Sequence, residues 1–290
     1  MKNKKIITQL TGGLGNQLFQ YAIARTISMR QNIPMKIDIS FFEHYEWHEY
    51  SLSPFNIKKE YASKEECDDI KNGNHTILNR LLIKSKNNTV EENNFYFDSK
   101  YLDVKGSKYL IGYWQSEKYF KEIEEIIRKE FEILIEPSDI NKKVLDKISV
   151  ENSVSIHIRR GNYVTNETVN TFHGTCSLEY YYSAIDYFKE KLENPVFYIF
   201  SNDMEWCKQN LIFEGNKVFL DHNDDKTDYE DLRLMKNCKY NIIANSTFSW
   251  WAAWLNNYKD KVIIAPKKWF SDEKGQSQIQ DLLPLSWIVM

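Results

Sequence analysis

Two adjacent arginines, Arg159 and Arg160, follow an alternating apolar segment and precede Gly161. Apolar and polar residues alternate along 154–158, which predicts a strand whose C-terminal end carries both guanidinium groups into a loop. Guanidinium groups bind phosphate oxygens through paired hydrogen bonds, and ligands of open α/β sheets bind beyond the carboxyl ends of strands. The pattern therefore favours an anion site, above all for a diphosphate, over the alternative that two salt bridges hold the loop.

The second half of the chain predicts the sheet that positions this site. Strands at 154–158, 196–201, 217–220, 240–244 and 262–265 alternate with helices at 178–192, 203–210, 229–237 and 247–255. Such alternation is typical of parallel βαβ units in a doubly wound, Rossmann-like domain. Polar residues end four of the strands, at 157–162, 201–203, 221–222 and 245–247. Carboxyl ends of parallel strands share one edge, so we expect one nucleotide-binding crevice there.

Two of these strand ends have a second interpretation. Ser246 and Thr247 begin a predicted helix, where their hydroxyls and amides suit an anion, although capping of the helix alone is the commoner role. Asp203 is placed to accept hydrogen bonds from a guanine base, or else to interact with the dipole of its own helix.

The first half begins with a strand at 5–10, a glycine-rich turn and a helix at 18–30. Gly12, Gly13 and Gly15 let the backbone approach a ligand closely, and the start of a helix favours anions. The turn matches neither the dinucleotide fingerprint nor the P-loop, so a purely structural role fits it equally well.

The remainder of the first half is less regular. A strand at 34–39 precedes an aromatic and polar stretch, 41–56, which we expect to form either an acceptor cleft or a packed surface loop. Residues 58–105 show weak periodicity with a short helix near 78–83, and a strand at 109–114 and a helix at 116–131 follow. We place a boundary at 135–150. The predicted domains are 1–140 on the acceptor side, 150–270 on the nucleotide side, and a tail, 271–290, that is free to pack back on the first domain.

Composition excludes several classes of protein. A length of 290 residues fits two domains, and a net charge of −3 gives no general affinity for nucleic acid. The four cysteines are scattered, which predicts reduced thiols rather than a zinc cluster or a disulfide framework. Neither a signal peptide nor an apolar run of about 18 residues is evident. We expect a cytoplasmic protein with at most peripheral association with the inner face of the membrane.

Four segments together resemble the α-1,2-fucosyltransferases, glycosyltransferase family 11. They are residues 12–21 (GGLGNQLFQY), 157–161 (HIRRG), 200–206 (FSNDMEW) and 245–255 (NSTFSWWAAWL). The resemblance implies an α/β fold of the GT-B type, with two Rossmann-like domains facing across a cleft. It also implies an inverting, metal-independent transfer of L-fucose from GDP-β-L-fucose, usually to the 2-hydroxyl of galactose. No Asp-x-Asp triplet, the usual handle for a metal-bound donor, is present.

The resemblance also implies roles for particular residues. Arg159 and Arg160 would neutralise the diphosphate leaving group, and His157 would fix a phosphate or an arginine unless it is a satisfied core histidine. Asn16 would reach the donor across the cleft. The implied donor contacts are Gly13, Gly15, Asn16, Arg159, Arg160, Asp203, Asn245, Ser246, Thr247 and Phe248. The acceptor candidates are Trp47, His48, Asn162 and His173, with a galactose-containing oligosaccharide or a lipid-linked glycan as the partner and no metal or cofactor.

The chain departs from the family at Asn162, where members commonly carry aspartate after Arg-Arg-Gly. Asparagine cannot act as a base, so His173 and Glu179 become candidates, unless a well-stabilised leaving group makes a strong base unnecessary. The alternatives are a transferase for another GDP-sugar or linkage, and a non-catalytic nucleotide- or glycan-binding protein.

Overall fold

The structure, a computed structural model, describes residues 4–45, 48–72, 88–161, 164 and 167–290. Its internal contacts divide the chain into two compact units, residues 1–134 and 135–290. The first unit thus ends where the predicted boundary region of 135–150 begins.

The first unit is built on a parallel sheet with the strand order β2-β1-β4-β3. Its strands are β1 (Ile6–Gln9), β2 (Met35–Asp38), β3 (Thr89–Glu91) and β4 (Lys108–Ile111), and its helices are α1 (Leu14–Gln31), α2 (Lys64–Lys71) and α3 (Glu124–Glu130). In register, Ile6 lies opposite both Met35 and Lys108. The carboxyl ends of β1 and β4 are therefore neighbours, and the glycine-rich turn follows the first of them.

Helix α1 is held by an unusually buried polar network. Its Arg25 forms an ion pair with Glu130 of α3 at 2.9 Å, and the two side chains are only 11% and 12% exposed. The hydroxyl of Tyr21 donates a second hydrogen bond to Glu130 at 2.7 Å. The helix ends at Gln31, and its C-cap residue, Asn32, takes the left-handed conformation with φ of 51°. One carboxylate thus joins two helices of the first unit in a weakly solvated setting.

Two predictions for the first unit were wrong in detail. The helix predicted at 116–131 is divided into 3-10 turns at Glu117–Tyr119 and Lys121–Ile123 and the α-helix α3. The regular path stops at Phe120, whose φ of −136° accompanies complete burial of the ring in the core. The strand predicted at 109–114 ends at Ile111, and Trp114, with a positive φ of 57°, lies outside the extended conformation of a strand. The short helix predicted at 78–83 lies outside the described residues.

The second unit contains a six-stranded parallel sheet in its described part, with the order β10-β9-β8-β5-β6-β7. The strands are β5 (Ser153–Ile158), β6 (Val196–Ser201), β7 (Asn216–Phe219), β8 (Tyr240–Ile242), β9 (Ile263–Ala265) and β10 (Ile288–Val289). The helices are α4 (Asp139–Val150), α5 (Glu167–His173), α6 (Leu178–Lys191), α7 (Met204–Asn210), α8 (Asp228–Asn237), α9 (Thr247–Leu255) and α10 (Glu273–Gln276). Every residue of the central strand β5 is buried.

The strand order reverses direction beside β5. The chain runs outward from β5 to β6 and β7, then returns to place β8 on the other side of β5. Such a switch point is where open α/β sheets bind ligands. Residues 271–290, predicted as a separate tail, belong to this unit and supply β10, which pairs with β9. Within the described part of the chain, no helix is long and apolar enough to cross a membrane.

Candidate active site

The switch point brings two of the predicted anion-binding segments together. Arg159 directly follows β5, and Ser246 lies between β8 and α9. The two strands are hydrogen-bonded neighbours, with Ile156 opposite Ile242. Neighbouring strands lie about 4.8 Å apart, so the segments that follow them begin side by side.

His157 is a buried, neutral imidazole at this edge. Its side chain is 5% exposed, and its ring lies 5.5 Å from the ring of Phe248. Burial, assisted by the charge of Arg159, lowers the pKa of His157 to about 3. The buried Nδ1 atom has no hydrogen-bond partner among the described residues. Buried polar atoms are nearly always paired, so the unpaired Nδ1 atom sets His157 apart from a satisfied core histidine.

The positive charge of Arg159 affects the pKa of several nearby titratable groups. Burial is the main cause that lowers the pKa of His173 to about 4, and the positive charge of Arg159 adds to it. Burial raises the pKa of Asp228 to about 7, an effect that the same guanidinium opposes. Arg159 therefore lies within electrostatic reach of His157, His173 and Asp228, in a setting poorly screened by water.

Arg160 is held in a different way. Its Nε atom lies 3.1 Å from Oδ2 of Asp203, and its guanidinium carbon lies 3.8 Å from the ring centroid of Trp206. The second carboxylate oxygen of Asp203 caps α7 by accepting the Trp206 amide at 3.3 Å. These contacts orient Arg160 and occupy both oxygens of Asp203. The guanine contact of Asp203 stays a prediction, and the structure adds a positioning role for its carboxylate.

The arginine loop approaches the next strand end so closely that only glycine fits. Gly161 has a φ of +32°, and a Cβ built there would lie 2.0 Å from Nδ2 of Asn202. Asn202 in turn accepts the backbone amide of Arg160 at 2.9 Å. The path of the loop after Arg160 thus depends on a glycine and on the asparagine packed against it.

The N-terminus of α9 is the positive end of its helix dipole, and no acidic side chain of its first turn lies there. Ser246 is the N-cap residue, but its side chain makes no capping hydrogen bond, and the first turn contains no acidic residue. Capping by Ser246, the commoner alternative, is therefore not realised in the described structure. Phe248, in the same turn, lies against His157. Helix amides and dipole here favour an anion next to Arg159.

Asn245, whose contact with the donor stays a prediction, is 2% exposed. Its Nδ2 atom donates to the carbonyl oxygens of His173, Gly174 and Trp269 at 3.1, 3.2 and 3.0 Å. The side chain joins the end of β8 to the segments after α5 and β9. We therefore assign Asn245 a positioning role for His173.

Sequence reasoning missed the carboxylates of α8. Burial raises the pKa of Asp231 to about 6, and its Oδ1 accepts Asn223 at 2.7 Å. The same chain of hydrogen bonds continues through Asn141 to His222, at 2.9 and 2.7 Å. It borders a pocket of about 430 Å³ whose walls include Tyr229. The pattern 228–231 carries three acids, which the sequence alone could not separate from an ordinary acidic helix start.

In the first unit, the glycine-rich turn is braced by side chains. Asn16 accepts a hydrogen bond from Gln115 at 3.1 Å. Gly13 lies against His48, since a Cβ built on Gly13 would lie 3.4 Å from the His48 ring. Gly15 is buried in the first turn of α1. These five residues gather at the carboxyl edge of the first sheet, whereas Arg159 and its neighbours belong to the second.

The remaining candidates divide into undescribed and exposed residues. Trp47 and Asn162 lie outside the described residues. Glu179 is exposed in the first turn of α6, and a hydrogen bond with Ser177 lowers its pKa. The pKa of His173 is lowered as well, to about 4, so basicity does not favour either residue as the catalytic base.

The model of glycosyltransferase family 11 matches residues 2–290. The chain belongs to glycosyltransferase family 11. This family 11 enzyme is 39% identical over 292 residues to an alpha-1,2-colitosyltransferase of Escherichia coli, covering 98% of each chain. It is 32% identical over 302 residues to the O-antigen biosynthesis glycosyltransferase WbnK of Escherichia coli, covering 96% of this chain and 98% of WbnK. A stretch of 154 residues is 30% identical to human galactoside alpha-(1,2)-fucosyltransferase 1, covering 50% of this chain and 42% of that one.

Solved structures confirm the fold of the family 11 enzyme. NodZ fucosyltransferase from Bradyrhizobium gives a TM-score of 0.51 at 12% identity, over 87% of this chain and 92% of that one. Arabidopsis thaliana FUT1 in complex with GDP gives 0.53 at 11% identity, over 90% and 70%. The predicted α/β fold of the GT-B type, with a Rossmann-like sheet in each unit, is therefore confirmed.

Proposed function

We propose that this glycosyltransferase moves L-fucose from GDP-β-L-fucose to the 2-hydroxyl of a galactose residue, with inversion and without a metal. The acceptor is a galactose-containing oligosaccharide or a lipid-linked glycan of a surface polysaccharide. The names of its relatives support this proposal, since they include an α-1,2-glycosyltransferase, an O-antigen glycosyltransferase and a galactoside α-1,2-fucosyltransferase.

The observation that carries the proposal is the switch point between β5 and β8. Arg159, the uncapped start of α9 and the unpaired Nδ1 atom of His157 adjoin one another there. A guanidinium and helix amides together suit a diphosphate, whose negative charge grows as the glycosyl bond breaks. Preorganised groups that stabilise such charge lower the barrier by about 3 kcal/mol for one good donor.

The positive charge of Arg159 and the start of α9 neutralise the diphosphate leaving group, which is the contribution that a metal ion makes in metal-dependent transferases. His157 serves as a neutral partner, because a pKa of about 3 leaves it unprotonated at neutral pH. Its role is then to fix a phosphate or the geometry of Arg159 as a neutral partner, not to donate a proton as a general acid.

We assign the nucleoside end of the donor to the α8 side of the same edge. Asp228 lies within reach of the Arg159 charge, and its neighbours Thr227 and Tyr229 line the pocket beside α8. A partly buried carboxylate accepts hydrogen bonds from the N–H groups of guanine or the hydroxyls of ribose, which makes Asp228 a second candidate for the nucleoside beside Asp203. In this arrangement the diphosphate binds at Arg159, and the nucleoside of the donor reaches towards the pocket beside α8, which is large enough for a base.

Colitose is the second candidate sugar, and the relative that is 39% identical over 98% of both chains favours it. Colitose is L-fucose without its 3-hydroxyl group. A site built to hydrogen-bond a hydroxyl rejects the analogue that lacks it by about 10⁴-fold in kcat/KM. The ratio of kcat/KM for the two GDP-sugars therefore decides between the two donors.

The test is a transfer assay with GDP-L-fucose or GDP-L-colitose, methyl β-D-galactopyranoside and excess EDTA. We expect GDP release, and an α-1,2-linked product that NMR identifies. A β-linked product would refute inversion, and another substituted hydroxyl would refute the 2-linkage. Activity lost in EDTA and restored by a divalent cation would refute the metal-free mechanism. GDP binding without turnover of any GDP-sugar would favour a binding protein.

A further inference from the structure

Two exposed tyrosine rings stand near the glycine-rich turn of the first unit. Tyr45 is 37% exposed and Tyr113 is 41% exposed. The ring of Tyr45 lies 4.6 Å from that of Phe41 and stacks on that of His48 at 6.1 Å. His48 in turn lies against Gly13, and Tyr113 follows β4, which pairs with β1, so both tyrosines lie at the carboxyl edge of the first sheet. We call Tyr45 and Tyr113 the tyrosine platform.

Tyr113 is fixed by a clamp behind it. One carboxylate oxygen of Glu92 accepts the backbone amides of Tyr113 and Trp114 at 2.6 and 2.9 Å. The other oxygen of Glu92 is buried without a hydrogen-bond partner among the described residues. Burial raises the pKa of Glu92 to about 7, and the two amides oppose that rise. Burying the carboxyl group of Glu92 costs free energy, and its two hydrogen bonds to backbone amides offset part of that cost.

The backbone of the clamp is strained. Trp114 has a φ of 57° and is fully buried, with its ring 4.9 Å from that of Tyr101. Gly112 is required because a Cβ there would lie 2.5 Å from Cβ of Glu92. Strained conformations of this kind persist where the surroundings enforce them, and they cluster at sites that bind ligands. Here the strain turns Trp114 into the core and leaves Tyr113 facing out.

We propose that the tyrosine platform, held by Glu92, stacks against a pyranose ring of the acceptor glycan and sets the affinity for that acceptor. The inference rests on the proposed function, because it assigns the second substrate of the same reaction. Pyranose rings have an apolar C–H face and a polar rim, which suits an aromatic ring with a hydroxyl edge. Tyr45 and Tyr113 each present an exposed ring and a phenol hydroxyl.

The test compares wild type with Tyr113→Ala, Tyr113→Phe and a control, Tyr258→Ala. Tyr258 is 37% exposed, and it belongs to the second unit. We expect Tyr113→Ala to raise the acceptor KM about tenfold, the loss of one aromatic contact, with kcat and the Kd for GDP unchanged. Tyr113→Phe keeps the ring, so it should stay within about threefold of wild type, as should the control.

Glu92 is a positioning residue and has its own variants. Glu92→Ala should raise the acceptor KM as Tyr113→Ala does, whereas Glu92→Gln should rescue it by keeping an oxygen for the two amides. Thermal unfolding and GDP binding show whether Glu92→Ala still folds. If it does not, Glu92→Asp, whose shorter side chain withdraws the carboxylate from the two amides, replaces it in the comparison.

The outcomes separate this inference from the proposed function. An unchanged acceptor KM in Tyr113→Ala, with normal transfer, would refute the platform alone. A loss of GDP affinity in Tyr113→Ala would refute an acceptor-specific role. Should wild type neither bind GDP nor transfer sugar, saturation-transfer NMR with methyl β-D-galactopyranoside still decides. Transfer of saturation that is lost in Tyr113→Ala and kept in Tyr258→Ala supports the platform, and its absence in wild type refutes it.

Discussion

Replacing Gly161 by alanine should destabilise the second unit through a contact that can be tested by a second substitution. The added Cβ would lie 2.0 Å from Nδ2 of Asn202, at a φ of +32°. The positive φ costs about 1–2 kcal/mol for a residue with a Cβ. Displacing Asn202 also breaks its hydrogen bond to the Arg160 amide, worth about 1 kcal/mol. We therefore expect a total loss of about 2–3 kcal/mol.

The double-mutant cycle identifies the cause. Asn202→Ala alone should cost about 1 kcal/mol, the same hydrogen bond that Gly161→Ala already breaks. The double variant should then be no less stable than Gly161→Ala, leaving a coupling of about 1 kcal/mol between the two sites. Urea unfolding measures all four proteins. Strict additivity, or a Gly161→Ala effect below about 0.5 kcal/mol, would refute the close approach of the two loops.

Two further predictions concern stability. His157 has a pKa of about 3 in the folded protein and about 6.5 when unfolded, so the unfolded chain binds more protons between these values and stability falls as the pH drops through this window. Between pH 7 and pH 5 wild type should lose about 2 kcal/mol more than His157→Gln in urea unfolding, and an NMR titration of His157 near pH 6.5 would contradict this. Glu130→Ala leaves Arg25 and Tyr21 without their shared carboxylate, which should cost about 3–5 kcal/mol. The control, Glu122→Ala, breaks the more exposed ion pair with Arg30 and should cost less than about 1 kcal/mol; equal losses would show that burial of the Glu130 pair does not matter.

The sequence predicted the second unit best, because its local patterns agree with its tertiary structure. Residues 154–158 are apolar on alternate positions, and they form a strand that is buried along its whole length. The turn around Gly161 and the helix at 247–255 followed from glycine and hydroxyl residues at strand ends. The order of the strands, and hence the switch point, needed the structure, because pairing between distant segments leaves no local signal.

The errors in the first unit have physical causes. Tyr119 and Phe120 fit a helical stripe, yet their burial in the core interrupts the helix. Helix α2 was missed in a polar region, although Ser63 and Glu66 form a capping box that marks its start. Trp114 takes a positive φ that no sequence rule predicts for tryptophan.

Roles within the site were harder to predict than its location. Asn245 and Asp203 are polar residues at strand ends, and the sequence could not show that they hold backbone carbonyls and Arg160 respectively. Asp228 went unnoticed because its burial, and hence its raised pKa, arises only from tertiary packing. Polar residues in the sequence thus locate the ligand-binding edge of the sheet. The role of each residue at that edge follows only from its hydrogen-bond partners in the structure.

The central claim is a GDP-sugar diphosphate site at Arg159, and thermal stabilisation by nucleotides tests it most directly. Wild type and Arg159→Ala would be unfolded with GDP, UDP, ADP or GMP in the presence of EDTA. GDP at about 100 times its Kd should stabilise wild type by about 2.7 kcal/mol, more than the other nucleotides do, and Arg159→Ala should lose this effect while remaining folded. Equal stabilisation by every nucleotide, no stabilisation at all, or full stabilisation of Arg159→Ala by GDP would contradict the account.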